Sequence, residues 1–387
     1  MTEMSNEVEK KLLLLVDDDA TNIKVVNAIL AADYKIRVAT NGAKALDLAK
    51  TKPVPDLILL DVMMPDIDGY EVCGRLKASQ DTRDIPVIFL TGKAEVADET
   101  RGFKAGAVDY IHKPFSPPIV TARVSTHLVL REAREQLARQ LSAINSELEM
   151  AREIQMSILP RETPKIAGLE IAARFVPMSS VAGDFYDYIV VDANHIGVLI
   201  ADVTGHGLPA ALIASMLKIA VSAQAAHASE PAKVLSGLNK ALCGTFEKFF
   251  VTAAYVFVDM EKMTLGYAGA GHPPPLLWCK STGCAGELMQ NGPLLGLFPH
   301  ETYSAGQVSI ESGDRIVLYT DGIVEAMNTS DEQFGTDRLK QFLESERSLS
   351  TDMFAESLLG ELSRWSAGSA GHTQQDDITM LTIDFQS

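Results

Sequence analysis

Five short apolar runs punctuate the first part of the chain, at residues 12–16, 36–39, 57–60, 87–90 and 108–111. They are mostly apolar, three of them nearly continuous in Leu, Ile and Val, and stretches of helical period separate them. Strands that are apolar on both sides and alternate with helices predict a parallel sheet covered on both faces. The pattern therefore predicts a doubly wound α/β domain over residues 10–125. From residue 119 to residue 159 there is neither glycine nor proline, and Pro160 is the first stop. Ser116 and Pro117 suit the N-cap and first position of a helix, which would run roughly 60 Å at 1.5 Å per residue. One seam of that helix holds Leu130, Leu137, Ile144, Ala151 and Ile158; the other holds Arg134, Leu141, Leu148 and Gln155. This heptad spacing predicts a coiled-coil linker over 126–160 and a homodimer through 130–158, with Arg134 and Gln155 as polar flaws. The alternative is a stripe packed on a neighbouring domain. From about residue 165 the runs change character. Strands are expected at 198–201, 252–258, 315–320 and 378–385, and helices at 208–226, 231–248 and 351–365. Grouped rather than alternating elements predict an α/β sandwich over 161–387, with two stacked antiparallel sheets flanked by helices.

Composition narrows the classes. The chain has 387 residues, enough for two or three domains, and 47% of them are apolar. Its net charge of -17 and the lack of any Lys/Arg-rich run argue against nucleic acid as a partner. The polar, acidic start is no secretory signal. The longest apolar helical run, 210–221, is too short for a bilayer, so a cytoplasmic protein with no membrane partner is expected. The four cysteines, Cys73, Cys243, Cys279 and Cys284, form no CxxC or zinc spacing and read as free thiols.

Two sets of carboxylates stand where apolar runs end. In an open parallel sheet, ligands bind beyond the carboxyl ends of the strands. Asp17 and Asp18 follow the first run, Asp61 ends the third, Thr91 ends the fourth and Lys113 follows the fifth. Three carboxylates converging there suit a hard cation such as Mg²⁺. Lys113 and Thr91 suit the oxygens of a phosphoryl group. The stretches VDDD (16–19), LLDVMMPDIDGYE (59–71), FLTG (89–92) and DYIHKPF (109–115) resemble the response-regulator receiver domain. The resemblance implies that Asp61 is the phospho-acceptor and that Asp17, Asp18, Asp61 and the Met63 carbonyl hold Mg²⁺. It also implies Thr91 and Tyr110 as a switch pair, with Lys113 against the acyl phosphate.

The second set is Asp184 in GDFYDY, expected after a strand, Asp202 at the end of VLIAD, Asp321 in LYTDG, and the Asp376–Asp377 pair. Oxygen donors without a His or Cys partner suit Mg²⁺ or Mn²⁺ rather than zinc. Two such ions sharing Asp202 would serve phosphate hydrolysis without a Ser or Cys nucleophile. The stretches REIQMSILP (152–160), GDFYDY (183–188), ADVTGHGLPAAL (201–212), AGAGHPPPLL (268–277), LYTDGIVEA (318–326) and DDITML (376–381) resemble the metal-dependent PPM Ser/Thr phosphatases of the SpoIIE/RsbU branch. By that resemblance Asp184, Asp202 and the Val203 carbonyl bind one Mn²⁺ or Mg²⁺ ion, and Asp202, Asp321 and Asp376 the other. Asp377 stands where the wider family often has Asn and is a secondary metal candidate. His206 and His272 read as loop-shaping residues. Ala182 replaces a glycine common in the branch, and no counterpart of the phosphate-binding arginine of eukaryotic members is evident.

The two resemblances together imply a two-component output enzyme. A sensor histidine kinase or phosphotransfer protein would phosphorylate Asp61, and the helix carrying REIQMSILP would pack at the metal site and decide whether ions are held. Activation by phosphorylation is the commoner family outcome. The expected substrate is a phosphorylated anti-sigma-factor antagonist of the STAS type, in a partner-switching pathway. The alternative is a non-catalytic adaptor that binds a sigma factor or regulator under receiver control.

Overall fold

A computed structural model describes residues 10–92, 96–205, 207–245, 248–366, 374 and 376–386. The chain divides into two compact units, Met1–Ala143 and Ile144–Ser387. In the first unit, strands β1 (Leu12–Val16), β2 (Lys35–Ala39), β3 (Leu57–Asp61), β4 (Val87–Thr91) and β5 (Asp109–His112) alternate with helices α1 (Ala20–Leu30), α2 (Gly42–Lys50), α3 (Gly69–Ala78) and α4 (Val96–Ala105). All strand pairs are parallel, in the order β2-β1-β3-β4-β5. The continuous apolar runs follow from burial on both faces. Leu13, Leu15, Leu57, Leu59, Ile88 and Leu90 pack with Val26 and Leu30 of α1. Leu14, Val16, Ile58, Leu60, Val87 and Phe89 pack with Ala45, Val72 and Leu76 of α2 and α3. Three helices begin where a side-chain oxygen meets a free backbone N–H: Asp19 accepts from Thr21, Asn41 from Lys44 and Asp68 from Glu71.

Helix α5 (Pro117–Ile158) runs 42 residues without interruption, about 63 Å at 1.5 Å per residue. Its first turns close the core of the first unit with Val120, Val124 and Leu128, spaced by four. Arg131 then donates from Nη1 to the carbonyls of Pro55 (3.1 Å) and Asp56 (2.6 Å). From Leu130 to Ile144 the apolar seam is bare: Leu130, Leu137, Leu141 and Ile144 are each more than half exposed. Toward its end the helix is covered again, with Gln155 buried and Leu159 beyond it in the core of the second unit.

The second unit begins its sheets with β6 (Leu169–Val176), β7 (Phe185–Val190) and β8 (His195–Val203), followed by α6 (Leu208–Ser222) and α7 (Pro231–Leu242). Next come β9 (Val251–Asp259), β10 (Thr264–Ala270), β11 (Leu276–Cys279), β12 (Cys284–Glu287), β13 (Asn291–Gly292), β14 (Gly306–Ser309) and β15 (Arg315–Tyr319). Helices α8 (Asp321–Val324), α9 (Gly335–Ser345) and α10 (Thr351–Ser366) precede the last strand, β16 (Ile378–Phe385). One sheet has the order β13-β10-β9-β8-β7, with β14 also on β10; the other is β12-β11-β15-β16-β6. Pairing is antiparallel except for the two-residue β10–β13 ladder. Period-two alternation sorts the faces. Ile316, Leu318, Leu381 and Ile383 point into the core shared with β8 and β9. Val317, Tyr319 and Met380 point outward beneath α9 and α10. Thus the expected sandwich is present. The helix expected over 208–226 ends at Ser222 and passes into a short 3₁₀ turn, Ala225–His227. The helix expected to reach residue 248 stops at Leu242. Helix α9 was not anticipated. Among the described residues, no helix is long and apolar enough to cross a membrane.

Candidate functional site

At the carboxyl ends of β1 and β3, the loops leave Asp17, Asp18 and Asp61 with carboxylate oxygens all within 4.8 Å of one another. Asp17 and Asp61 are buried and Asp18 is exposed. Lys113, just past β5, lies 3.0 Å from Asp17 Oδ2 and 3.0 Å from Asp61 Oδ2. Asp17 Oδ1 also accepts from the Asp19 N–H and from Asn22 Nδ2. Burial raises the Asp61 carboxyl above its usual range, Lys113 opposes that, and the charge of Asp17 adds to it. Thr91 closes β4 and is buried. Tyr110 is buried on β5 between the rings of Phe89 and Phe103. Met63 is exposed, and its N–H stands 3.5 Å from Asp61 Oδ1. All the first-unit residues named from sequence except Tyr110, which lies within β5, therefore sit at strand termini or in the turns that follow them.

In the second unit Asp184 does not follow a strand; it comes immediately before β7, after the loop that leaves β6. Antiparallel pairing sets Phe185 opposite Ala201, which brings Asp184 beside Asp202 near the end of β8. Asp321 opens the one-turn α8 after β15, and Asp376 and Asp377 lead into β16, the neighbour of β15. Four strand termini therefore meet at one end of the sandwich. Asp184 is held by two hydroxyls: Thr320 Oγ1 donates to its Oδ2 at 2.9 Å and Thr379 Oγ1 to the same oxygen at 2.5 Å. Burial, then the charge of Asp202, drives the Asp184 carboxyl well above the ordinary range. Burial and the charges of Asp321, Asp376 and Asp377 push Asp202 up to about 7. Burial and Asp376 raise Asp321 to about 6. Asp202 thus interacts with Asp184 and feels the charges of Asp321, Asp376 and Asp377. Among the described residues, only the receiver trio has three ligand atoms within 4.8 Å of one another. The second-unit carboxylates are spread more widely.

The turn after β8 needs left-handed backbone, which Gly205 (φ 91°) and Gly207 (φ 78°) supply. His206 between them lies outside the described residues. Val203 ends β8, its N–H donating to the Gly183 carbonyl. His272 is buried; its Nε2 faces the Tyr319 carbonyl at 3.0 Å and its Nδ1 the Thr252 hydroxyl at 2.8 Å. A carbonyl only accepts, so Nε2 carries the proton and the ring bridges β9 to β15. Burial takes the His272 pKa down to about 3. Lys218 of α6 lies 2.9 Å from both oxygens of buried Asp187, tying α6 to β7.

Three groups at this site were not singled out for these contacts in the sequence. Thr320 and Thr379 cradle Asp184. Gln155, near the end of α5, makes a reciprocal amide pair with the backbone of Ala182: Nε2 donates to the carbonyl at 2.6 Å and Oε1 accepts from the N–H at 3.0 Å. The signal for the threonines was their place beside the acidic motifs, one residue before Asp321 and three after Asp376. Gln155 stood out as a polar residue in an apolar seam, which is the usual mark of a buried polar contact.

Residues 192–386, half of the chain, match the family described as stage II sporulation protein E (SpoIIE). The chain belongs to the SpoIIE family. Residues 13–125 match the response regulator receiver domain, so this SpoIIE-family protein is a response regulator that joins a receiver to a PPM-type phosphatase domain. The phosphoserine phosphatase RsbU of Bacillus subtilis is 34% identical over 183 residues, covering 47% of this chain and 54% of that protein. A probable cyclic di-GMP phosphodiesterase of Vibrio cholerae is 42% identical over 149 residues, 38% of this chain and 34% of that one. The chain spans about a third to about half of the length of these relatives. Among solved structures, the PP2C domain of SiaA from Pseudomonas aeruginosa superposes with a TM-score of 0.57 at 25% identity, covering 64% of this chain and 100% of that one.

Proposed function

We propose that this response regulator is a metal-dependent phosphatase for phosphoserine or phosphothreonine on a protein, controlled by phosphorylation of Asp61. The observation that carries the reading is the meeting of Asp184, Asp202, Asp321 and Asp376 at one end of the sandwich, with burial and mutual repulsion raising three of them. Such a set needs a compensating positive charge, and its all-oxygen chemistry fits Mg²⁺ or Mn²⁺. Asp184, Asp202 and the Val203 carbonyl would hold one ion; Asp202, Asp321 and Asp376 would hold a second. Bound ions supply an acidified water and neutralise phosphate charge. The chain's own residues do the positioning. Thr320 and Thr379 fix the Asp184 carboxylate, Gln155 fixes the loop that delivers it, and His272 locks β9 against β15.

In the receiver, Asp61 would accept the phosphoryl group from a sensor histidine kinase or a phosphotransfer protein. Asp17, Asp18 and the Met63 carbonyl would hold Mg²⁺ with it. Lys113 stands ready for the acyl phosphate oxygens, and Thr91 with Tyr110 would form the switch pair. The reading takes residues 10–125 as receiver, 126–160 as coiled-coil linker and 161–387 as phosphatase domain, working as a homodimer through 130–158 in the cytoplasm. Similarity to the phosphoserine phosphatase RsbU supports a phosphoserine substrate, which in this reading is a STAS-type anti-sigma-factor antagonist. In the test, phosphate release from p-nitrophenyl phosphate and from a phosphoserine peptide is followed with Mn²⁺. Asp202→Asn should reduce both to background. Undiminished turnover by that variant would remove the assignment, and absence of Mn²⁺ binding by the wild type at millimolar metal would favour a non-catalytic adaptor.

A further inference from the structure

The loop over residues 177–183 carries Asp184 into the site without regular secondary structure. It is nevertheless held tightly by one side chain from the far end of the chain. Asp377 Oδ1 accepts the Met178 N–H at 2.7 Å, and Oδ2 accepts the Gly183 N–H at 2.7 Å. Both oxygens are therefore engaged by backbone donors, on a residue only 5% exposed. The backbone of Asp377 does a second job. Its N–H donates to Asp376 Oδ1 at 2.8 Å. Its carbonyl presses on Gly322, the residue after Asp321; a Cβ there would stand 2.0 Å from that oxygen. Asp377 thus touches the loop of Asp184, the side chain of Asp376 and the backbone beside Asp321.

A buried carboxylate gains charge-assisted hydrogen bonds from backbone N–H groups, and turning it toward an ion would leave those donors unpaired. We propose that Asp377 is a positioning residue rather than a metal ligand: it clamps the Asp184 loop in register with Asp321 and Asp376. Its consequence for catalysis rests on the phosphatase reading; the clamp itself does not.

The test uses the full chain with Asp377→Ala and Asp377→Asn, the latter retaining one acceptor oxygen should the alanine variant fold poorly. In metal-free protein, amide hydrogen exchange over 178–184 should accelerate in Asp377→Ala and less so in Asp377→Asn, with β8, β9 and β15 unchanged. Calorimetry with Mn²⁺ should keep the wild-type stoichiometry while affinity falls about 10- to 100-fold, the range for residues that orient metal ligands. Unchanged exchange over 178–184 in both variants would overturn the clamp. So would the loss of one Mn²⁺ per chain in Asp377→Asn, which is the signature of a ligand. If the wild type takes up no Mn²⁺, the phosphatase reading fails, while the exchange data still decide the clamp.

Discussion

Asp184 shows how much one carboxylate depends on its neighbours. Two threonine hydroxyls converge on its Oδ2 from residues 136 and 195 positions away in sequence. Removing one of them by Thr379→Val leaves a buried charge with one fewer donor. A hydrogen bond to a charged group contributes about 1.5–3 kcal/mol, so Mn²⁺ affinity measured by calorimetry should fall at least about tenfold. His272 makes a different prediction. Its pKa is about 3 when folded against an ordinary 6.5. Below pH 6.5 the unfolded chain takes up a proton that the folded ring refuses, so stability from the neutral ring is full above 6.5 and drains as pH falls toward 3. The buried carboxylates shift in the opposite sense, so the comparison must be a difference. Wild type and His272→Asn should show melting temperatures that converge as pH drops from 7 to 4, by calorimetric scans. At this scale the receiver residues were legible because all but Tyr110 stand at the last residue of a strand or one or two residues beyond it. The hydroxyls around Asp184 were not, because contacts spanning more than a hundred residues leave no local pattern.

Among the elements, those with strong periodicity were read almost to the residue. Strands β1, β3 and β4 are apolar on both faces because helices cover both, and they sit within one residue of the expected bounds. Strand β6 is mostly half-buried, which blurs its alternation. That is why Asp184 was expected after a strand rather than before β7. Helix α7 stops six residues early: Cys243 already has extended backbone, and Gly244 follows at φ 76°. Helix α5 was legible from its first residue, and its bare seam is where dimerisation is argued. Four apolar side chains at heptad spacing are unlike a surface helix, whose apolar stripe normally meets a core. Leu137→Glu with Leu141→Glu should therefore convert a dimer to a monomer in analytical ultracentrifugation. A monomeric wild type would end the coiled-coil proposal.

For the molecule as a whole, a receiver and a SpoIIE-family domain bring two separate clusters of carboxylates into one chain of net charge -17. The architecture of each domain could be read from hydrophobic pattern alone. The polar contacts that tie each end of α5 to its own unit could not, because Arg131 meets the 55–56 carbonyls and Gln155 meets Ala182 across 75 and 27 residues of sequence. Helix α5 also has a property of a drive shaft. Since it is unbroken for 42 residues, each residue added within it turns everything downstream by about 100°. Seven residues inserted after Ala143 return the azimuth to within about 20° of its start, whereas five leave it about 140° off. The seven-residue insertion should keep the response of phosphate release to beryllofluoride, an acyl-phosphate mimic at Asp61, and the five-residue insertion should abolish it while basal turnover persists. Signal passage in this chain would then be set by angular phase more than by reach.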